Sequence, residues 1–209
     1  IQVMLDPADC GPACISLSQD AQGEVFDYPE EFFKERIHTI RRPRADDYQI
    51  KQAAELIKNS KNPIIISGGG VFYSDAMKEL SSFAKKHNIP TTQTVMGYST
   101  MKRDDPYFVG PIGGLGGKAA NNLAKKTDLA IAVGTKLGDF TTGSWANFEN
   151  PKFKLLSINV ARFDANKHMA QSIIGDAKVS LLELSNALGS WKAPNDWYKK
   201  SRTELESWN

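Results

Sequence analysis

The sequence predicts an α/β protein with a doubly wound, mainly parallel six-stranded sheet and helices on both of its faces. Over residues 47–189, short apolar runs rich in β-branched residues alternate with segments whose apolar residues have helical spacing. Such alternation is typical of right-handed βαβ units, which build a parallel sheet. Glycine-rich turns follow three of the predicted strands. Turns of this kind mark the ligand-binding edge in Rossmann-like sheets.

The first predicted element is a strand at Ala13–Ser18, a β-rich run that follows a Gly-Pro turn. The next stretch, up to residue 46, is polar, aromatic and charged with little periodicity, which predicts a connector. Its basic run, Arg36–Arg44, is interpreted as a solvated face or linker. A contact between this run and a neighbouring domain or subunit is the alternative interpretation.

The central region begins with a predicted helix over Asp47–Lys61, which has an aspartate available as its N-cap. The continuous β-branched run Pro63–Ser67 predicts a strand that is buried on both faces. A second helix is predicted over Ser74–Asn88 with Ser74 as its cap, and Ile89–Thr94 predicts the next strand. The apolar face of the first helix consists of Ile50, Ala53, Ala54 and Ile57.

The alternation of helices and strands continues to the end of the central region. We expect a helix over Gly117–Thr127, followed by strands over Asp128–Thr135 and Phe153–Val160. A short strand over Ser172–Asp176 and a closing helix over Ala177–Gly189 complete the region. The glycine at the end of the last segment is a typical helix terminator. Residues 190–209 are predicted to lead out of the domain as a linker that runs into a helix.

Composition narrows the classes of function. The formal net charge is only +2, which gives no electrostatic basis for binding nucleic acid or an anionic membrane. The apolar runs are far shorter than the roughly 20 residues that span a bilayer. Cys10 and Cys14 match neither a zinc site nor a redox motif, so they are predicted to be small buried residues beside the first strand. A reducing, cytoplasmic compartment is therefore expected.

Three glycine turns supply the candidate cofactor-binding residues. Without a Cβ, the backbone of such a turn can approach a pyrophosphate, and N–H groups at a helix start favour an anion. The first turn, Gly68–Gly70, does not match G-x-G-x-x-G, and no acidic residue ends the strand that follows it. Two interpretations stay open, a cofactor cradle or tight turns that only shape the fold. The candidates are Gly68, Gly69 and Gly70, then Gly113, Gly114 and Gly116, and finally Gly134.

Groups suited to catalysis are sparse in this sequence. The three histidines, His38, His87 and His168, have no nucleophile motif beside them, and neither a G-x-S-x-G elbow nor a Walker lysine is present. Asp139 and Asp164 follow predicted strands and are interpreted as turn or cap residues rather than catalytic carboxylates. The sequence therefore predicts no catalytic residue and no metal ligand.

The order of these features resembles the thiamine diphosphate (ThDP) enzyme superfamily, which includes acetolactate synthase and pyruvate oxidase. "GPACISLSQDAQGEVFDYP" is similar to the last strand of a pyrimidine-binding domain, with Ser18 and Ala21 in place of the usual proline and valine. "ELIKNSKNPIIISGGGVFYSDAMKELSSFAKKHNIPTTQTVMGYS" resembles the opening of the central domain. "FDYPEEFFKERIHTIRRPRAD" is most similar to the branch of hydrolases that open a cyclic 1,2-dione in myo-inositol catabolism.

This resemblance implies a division of the chain into four parts. Residues 1–28 would be the tail of the pyrimidine-binding domain, 29–46 a linker, 47–189 the central domain and 190–209 a linker towards a pyrophosphate-binding domain. The chain would then be a piece of a longer enzyme. ThDP and magnesium are implied for that parent, but the glutamate and the GDG…N motif that serve them in the family have no counterpart here. No catalytic residue carries over, and the chain alone is expected to be inactive and not to bind ThDP.

The resemblance also implies a role for the glycine turns. In other members of the superfamily the central domain holds FAD or an ADP moiety at this edge, whereas a vestigial, structural site is expected here because ring opening needs no redox step. The implied partners are the flanking ThDP-binding domains and further copies in a homo-oligomer. The alternative is a module that binds FAD, NAD or ADP in another ThDP enzyme, such as an acetolactate synthase-like protein. A stand-alone protein-interaction domain is a third interpretation.

Overall fold

The computed structural model describes residues 1–208, which fall into two units, one over Ile1–Arg41 and one from Arg42 onwards. The first unit contains a single helical turn, α1 (Gln2–Leu5), and two short 3-10 turns at Ala21–Gly23 and Glu30–Phe33. None of its side chains is buried. The unit therefore has no hydrophobic core of its own.

Two predictions about the first unit are wrong. Ala13–Ser18 forms no strand, and both Cys10 and Cys14 are exposed. Ile15 and Leu17, which would line the buried face of such a strand, are 82% and 70% exposed. The physical reason is that a strand needs a neighbour to complete its hydrogen bonds, and this unit offers none.

The second unit is built on a six-stranded, fully parallel sheet in the order β3-β2-β1-β4-β5-β6. Five of the strands coincide with predicted ones, which confirms the fold class. The sixth, β3, escaped prediction because Phe108–Pro111 is short and ends in Gly-Pro rather than in a β-branched run. The strands are β1 (Pro63–Ser67), β2 (Thr91–Gln93), β3 (Phe108–Pro111), β4 (Leu129–Val133), β5 (Lys154–Asn159) and β6 (Gln171–Ile174).

Eight helices accompany this sheet within the described residues. The predicted helices correspond to α2, α4, α5 and α8, and the predicted apolar face of α2 is buried in full. Short turns of helix follow β1, β4 and β5. The helices are α2 (Asp47–Lys58), α3 (Gly69–Tyr73), α4 (Met77–His87), α5 (Lys118–Lys126), α6 (Asp139–Thr142), α7 (Arg162–Ala165), α8 (Ala177–Leu188) and α9 (Asn195–Glu206).

The prediction that Ser74 caps the second helix is wrong. Ser74 ends α3, and α4 begins after Ala76 without a side-chain cap. Asp75 separates the two helices with a positive φ of 51°, a conformation that a continuous helix cannot contain. The short helix α3 was missed because its first two residues are glycines, which disfavour helix.

The core lies in two layers, one on each face of the sheet. Alternate residues of β1 point to opposite faces, so Ile65 packs with α2, α4 and α8, whereas Ile64 packs with α5 and α9. All five residues of β1 and all five of β4 are buried. A doubly covered parallel sheet has this pattern, and it explains why its central strands are continuous apolar runs.

The connector that enters the second unit is fixed to the start of α8. The main-chain N–H of Asp176 donates to the carbonyl of Pro43 at 2.8 Å, and the Arg42 guanidinium pairs with the buried Asp176 carboxylate at 3.1 Å. Arg44 pairs with Glu183 at 2.5 Å. The last arginines of the basic run therefore hold this connector against α8.

The stretch that leaves the central region is also anchored. The indole N–H of Trp197 in α9 donates to the Pro63 carbonyl at 2.7 Å, and the side chain is 3% exposed. Glu204 accepts hydrogen bonds from Lys126 at 2.5 Å and from Asn122 at 3.0 Å, and these contacts lower its pKa. Part of the predicted outgoing linker thus packs on α5 and β3, while the proposed domain boundaries stay a prediction.

Over residues 1–208, none of the helices combines the length and the apolar character required to cross a membrane.

Candidate functional site

The strand order places a topological switch point between β1 and β4. From β1 the chain crosses over to β2 on one side, and from β4 it crosses over to β5 on the other side. In open α/β sheets, the crevice for ligands lies beyond the carboxyl ends of the strands at this point. Gly68–Gly70 follow β1 and Gly134 follows β4, so the fold brings two of the three predicted glycine turns together here.

Backbone packing fills the space between these two turns. A Cβ added to Gly68 would lie 2.4 Å from the Gly134 carbonyl oxygen, and one added to Gly70 would lie 2.6 Å from Gly134 Cα. Gly134 has a positive φ of 59°. Side chains at these positions would overlap main-chain atoms, so the glycines permit the close approach of two loops.

The N–H groups of the same turns have partners within the protein. Gly68 donates to the Val133 carbonyl at 2.9 Å, Gly70 donates to the Gly134 carbonyl at 2.9 Å, and Gly134 donates to the Ile158 carbonyl at 2.8 Å. A phosphate cradle needs N–H groups that are free to bind the anion. At the switch point those donors instead bind the two turns to each other and to strands β4 and β5.

The third turn, after β3, is held in a similar way. Gly113 has a φ of 107°, and a Cβ there would lie 2.2 Å from the Phe140 carbonyl oxygen. Gly114 donates its N–H to that same oxygen at 2.8 Å. Gly116 donates to the Gly113 carbonyl at 2.9 Å, and its own Cβ would lie 2.5 Å from the carbonyl carbon of Ile112. This turn is therefore packed against the start of α6.

Asn121 in α5 completes the fixation of this turn. Its Oδ1 accepts the N–H of Gly113 at 2.9 Å, and its Nδ2 donates back to the Gly113 carbonyl at 3.0 Å. The sequence reasoning missed this residue. The available signal was an amide side chain in the first turn of a helix that follows a glycine run, a position suited to binding the preceding loop.

Not every glycine of the three turns is needed for packing. Nothing lies within 4 Å of a Cβ built on Gly138, and the nearest atom to one on Gly114 is a Phe140 ring carbon at 3.9 Å. We call these two the open glycines. The packed glycines, each with a backbone atom within 2.6 Å of an added Cβ, are Gly68, Gly70, Gly113, Gly116 and Gly134.

Buried hydroxyl groups tie the ends of β1 and β2 together. Ser67 Oγ donates to the Thr92 carbonyl at 3.0 Å and lies 2.7 Å from Thr100 Oγ1, which in turn donates to the Gly97 carbonyl at 2.7 Å. Gln93 ends β2 opposite Ser67, and its Oε1 is buried without a hydrogen-bond partner among the described residues. Sequence reasoning missed this group of polar residues, although Ser67 visibly interrupts an apolar run.

The carboxylates that follow β4 and β5 have structural partners. Asp139 opens α6 and accepts a hydrogen bond from Ser144 Oγ at 2.9 Å. Asp164 pairs with Lys167 at 2.6 Å and with Lys136 at 3.6 Å. Within residues 1–208 no three histidine, cysteine or acidic side chains are grouped so that they could hold a metal ion.

The buried histidine lies away from the glycine turns, at the end of α4. His87 Nδ1 is 2.8 Å from the Trp191 carbonyl oxygen and Nε2 is 3.1 Å from Ser185 Oγ. The first contact requires a proton on Nδ1, so the neutral ring accepts from the serine hydroxyl at Nε2. Burial lowers the pKa of His87, and its role is to join α4 to α8 and to the residues after α8.

An open groove of about 500 Å³ runs along α2 and α8 on one helical face of the second unit. It does not border any of the candidate glycines. Its charged lining residues alternate in sign, and they are Arg44, Asp47, Lys51, Glu55, Lys58 and Glu183.

Comparison with known proteins identifies similar sequences. Residues 50–184 match the family model described as "Thiamine pyrophosphate enzyme, central domain". A protein from Clostridium perfringens (strain 13 / Type A) named 3D-(3,5/4)-trihydroxycyclohexane-1,2-dione hydrolase is 48% identical over 90% of this chain and 29% of its own length. Proteins of the same name from Clostridium tetani (strain Massachusetts / E88) and Bacillus cereus (strain AH820) are 44% and 43% identical over 99% and 90% of the chain. The chain spans 29% to 32% of the length of these relatives.

Proposed function

We propose that this chain is part of a ThDP-dependent hydrolase that opens a cyclic 1,2-dione by C–C cleavage. The chain belongs to the family of thiamine pyrophosphate enzyme central domains. The observation that carries the proposal is similarity along at least nine-tenths of the chain to relatives named as hydrolases of a trihydroxycyclohexane-1,2-dione. The central domain itself has a structural role in this proposal. Catalysis belongs to the remainder of the longer enzyme.

The geometry of the glycine turns supports the structural role. Six of the seven candidate glycines donate their N–H groups to protein acceptors, and Gly69 is the exception. The packed glycines let the loops after β1, β3 and β4 approach other main-chain atoms at distances that no side chain permits. A rigid sheet edge at the carboxyl ends of the strands suits a domain that holds the two flanking domains of the longer enzyme at a fixed distance. The candidate cofactor-binding residues Gly68–Gly70, Gly113, Gly114, Gly116 and Gly134 remain a prediction.

The described residues include no cluster of acidic side chains for the magnesium ion that accompanies ThDP. Magnesium that binds a diphosphate takes oxygen ligands from carboxylate or carbonyl groups that lie close together. Within residues 1–208 no group of three acidic, histidine or cysteine side chains exists, and Asp139 and Asp164 are held in other contacts. We therefore assign ThDP and magnesium to the other domains of the parent enzyme.

The test is turnover by the longer polypeptide that contains this chain. With ThDP and Mg²⁺, it should consume 3D-(3,5/4)-trihydroxycyclohexane-1,2-dione and release acid, because water adds across the broken C–C bond to give a carboxylic acid and an aldehyde. The 209-residue chain alone should show neither turnover nor calorimetric heat with ThDP. If the longer polypeptide leaves the dione intact and forms acetolactate from pyruvate, the proposed function is wrong.

We further propose that the parent enzyme is a cytoplasmic homo-oligomer. Two exposed, unpaired thiols, Cys10 and Cys14, support a reducing compartment, since such thiols oxidise outside one. Cell fractionation tests the compartment. Sedimentation of the longer polypeptide tests its oligomeric state, and a monomer at micromolar concentration would contradict the second half of this proposal.

A second candidate function is a nucleotide site at the carboxyl edge. The observation that favours it is the buried, unpartnered Oε1 of Gln93 beside the switch point, because such an atom suits a hydrogen bond from a ligand. Thermal unfolding of the chain with FAD, NAD and ADP tests it. A ligand at a hundredfold excess over its dissociation constant adds about 2.7 kcal/mol of stability. Unchanged unfolding with all three ligands removes this candidate.

A further inference from the structure

The exposed apolar residues of the second unit are concentrated at one edge of its sheet. Twelve large apolar side chains between residues 42 and 208 are more than half exposed, and eight of them follow the carboxyl ends of strands. The other four are Tyr48, Met169, Leu182 and Trp208. Scattered exposed apolar residues need no explanation, but an accumulation at one edge marks an interaction surface.

Five of these side chains form a patch on two short elements that contact each other. The elements are α3, after β1, and the 3-10 turn Val95–Gly97, after β2. A Cβ on Gly69 of α3 would lie 3.1 Å from the Met96 carbonyl oxygen, so the two backbones nearly touch. We call this surface the rim patch, and its residues are Phe72 (57% exposed), Tyr73 (78%), Val95 (58%), Met96 (75%) and Tyr98 (78%).

The rim patch has the composition of the centre of an interface. Residues 62–74 and 89–101, which contain it, include no aspartate, glutamate, lysine or arginine, although 24% of the chain is charged. The buried centres of protein interfaces are likewise depleted in charge and enriched in aromatic residues and methionine. A solvated surface of this chain looks different, since α2 exposes Lys51, Glu55 and Lys58.

The patch is also rigidly supported. The Thr94 side chain accepts the Gly97 N–H at 3.0 Å, and Thr100 donates to the Gly97 carbonyl at 2.7 Å. The Thr94 N–H donates to the Ser67 carbonyl at 2.9 Å, which joins the 3-10 turn to the end of β1. A surface held in one conformation loses little entropy when it is covered.

We propose that the rim patch is the surface on which another domain of the same longer polypeptide docks. This inference rests on the proposed function. The relatives offer the occupant, because 29% of the Clostridium perfringens protein matches this chain and the rest of its length lies outside the match. An uncharged aromatic surface favours a permanent contact within one molecule, since permanent interfaces resemble a domain core cut in half.

The experiment compares the accessibility of the patch in the 209-residue chain and in the longer polypeptide. Hydroxyl-radical footprinting read by mass spectrometry reports the oxidation rates of Tyr73, Met96 and Tyr98. These rates should fall about tenfold in the longer polypeptide, because the centre of a packed interface excludes water. Tyr48, which is 69% exposed on α2, is the matched control and should keep its rate.

The possible outcomes separate this inference from the proposed function. Equal rates at the rim patch in both proteins overturn the docking surface, even when the longer polypeptide hydrolyses the dione. If the rim patch is protected but the longer polypeptide has a different activity, the docking surface is supported and the proposed substrate is wrong. If the 209-residue chain alone sediments as a dimer with the patch already protected, the occupant is a second copy and the inference is wrong.

A pair of substitutions provides an independent test. Met96→Ser with Tyr98→Ser should leave the urea midpoint of the 209-residue chain unchanged, since both side chains face solvent there. In the longer polypeptide the same pair should raise the oxidation rate of Tyr73 severalfold. Tyr48→Ser is the control and should have no effect on Tyr73 in either protein. An unchanged Tyr73 rate in the paired variant would contradict the proposal.

Discussion

The packed and the open glycines occupy the same edge of the sheet and differ in what surrounds them. A Cβ added to Gly134 would lie 2.6 Å from Gly70 Cα, whereas a Cβ added to Gly138, in the same loop, would have no atom within 4 Å. Sequence treats these two residues alike, as members of one glycine turn after β4. The comparison teaches that a glycine-rich turn at a ligand-binding edge can be explained by loop packing, and that the packing is specific to individual positions.

The largest effect is expected for Gly134→Ala. Its φ of 59° disfavours alanine, and the new Cβ would overlap Gly70 Cα at 2.6 Å and the Val71 nitrogen at 2.8 Å. Because both loops follow central strands, neither can move without disturbing the sheet. We expect a loss of more than about 3 kcal/mol in the free energy of unfolding. Urea denaturation of the variant measures it, and a midpoint equal to that of wild type would break the comparison.

A smaller loss is expected for Gly113→Ala. The Cβ would lie 2.2 Å from the Phe140 carbonyl oxygen, and the φ of 107° is one that alanine rarely adopts. Phe140 belongs to the four-residue helix α6, which can shift more easily than a central strand. We expect a loss of about 2 kcal/mol. The same denaturation experiment gives the value, and a loss larger than that of Gly134→Ala would reverse the proposed order.

Asn121→Ala tests the packing of a glycine turn without substituting a glycine. It removes the two hydrogen bonds that hold Gly113, at 2.9 and 3.0 Å. Each such bond contributes about 0.5–1.5 kcal/mol, centred near 1, so we expect the loss of both to cost about 2 kcal/mol. Asn122→Ala, one residue along the same helix, tests whether the loss belongs to the glycine turn, because Asn122 binds Glu204 instead. Hydrogen exchange at the Gly113 amide should quicken only in the first variant.

The open glycines should tolerate substitution. Gly138→Ala places a methyl group in free space at φ −63°, which alanine adopts readily. In Gly114→Ala the methyl group meets only the ring and the carbonyl oxygen of Phe140, each at 3.9 Å, an ordinary contact distance. The expected change for each is within about 0.5 kcal/mol, because reduced freedom of the unfolded chain offsets small local costs. Thermal unfolding of each variant is sufficient to detect a larger change in stability. A loss as large as that for Gly113→Ala would show that these positions have contacts beyond the packing described.

Acidification should lower the stability of wild type and of the open-glycine variant Gly138→Ala equally. Burial lowers the pKa of His87, so the unfolded state binds a proton at a higher pH than the folded state does. Stability contributed by the neutral ring is therefore present above the ordinary histidine pKa of about 6.5 and is lost as the pH falls through the lower folded value. Urea midpoints of wild type and Gly138→Ala, measured from neutral pH downwards, should fall in parallel. His87 shares no partner with the glycine turns, so divergent curves would contradict this independence.

Much of the second unit could be predicted because its signals are local. The period of apolar residues identified α2 and its buried face, and continuous β-branched runs identified β1 and β4 as strands covered on both sides. The strand β3 and the helix α3 have no such period, since each is short and contains glycine. The ion pair between Arg42 and Asp176 joins residues far apart in sequence, so no local pattern reports it.

The first unit illustrates the opposite case. Ala13–Ser18 has the alternating pattern of a strand, and yet it is irregular and exposed within residues 1–41. A pattern specifies which face of a strand would be buried, but it supplies neither the neighbouring strand nor the surface that covers it. Cys10 and Cys14 were predicted to be buried because free cysteine is among the most buried residue types, and both are exposed.

The sequence by itself determined most of the helices and strands of the second unit and their parallel arrangement, because these follow from local periodicity. Its motifs indicated the family. Only the tertiary structure decided what the glycines do. The contact between Gly70 and Gly134 exists because β1 and β4 become neighbours at the switch point, and the distance between their loops is set by the whole sheet. Likewise, the charge-free rim patch acquires meaning only when α3 and the Val95–Gly97 turn are placed side by side. Local sequence can specify the parts, but close approach is a property of their arrangement.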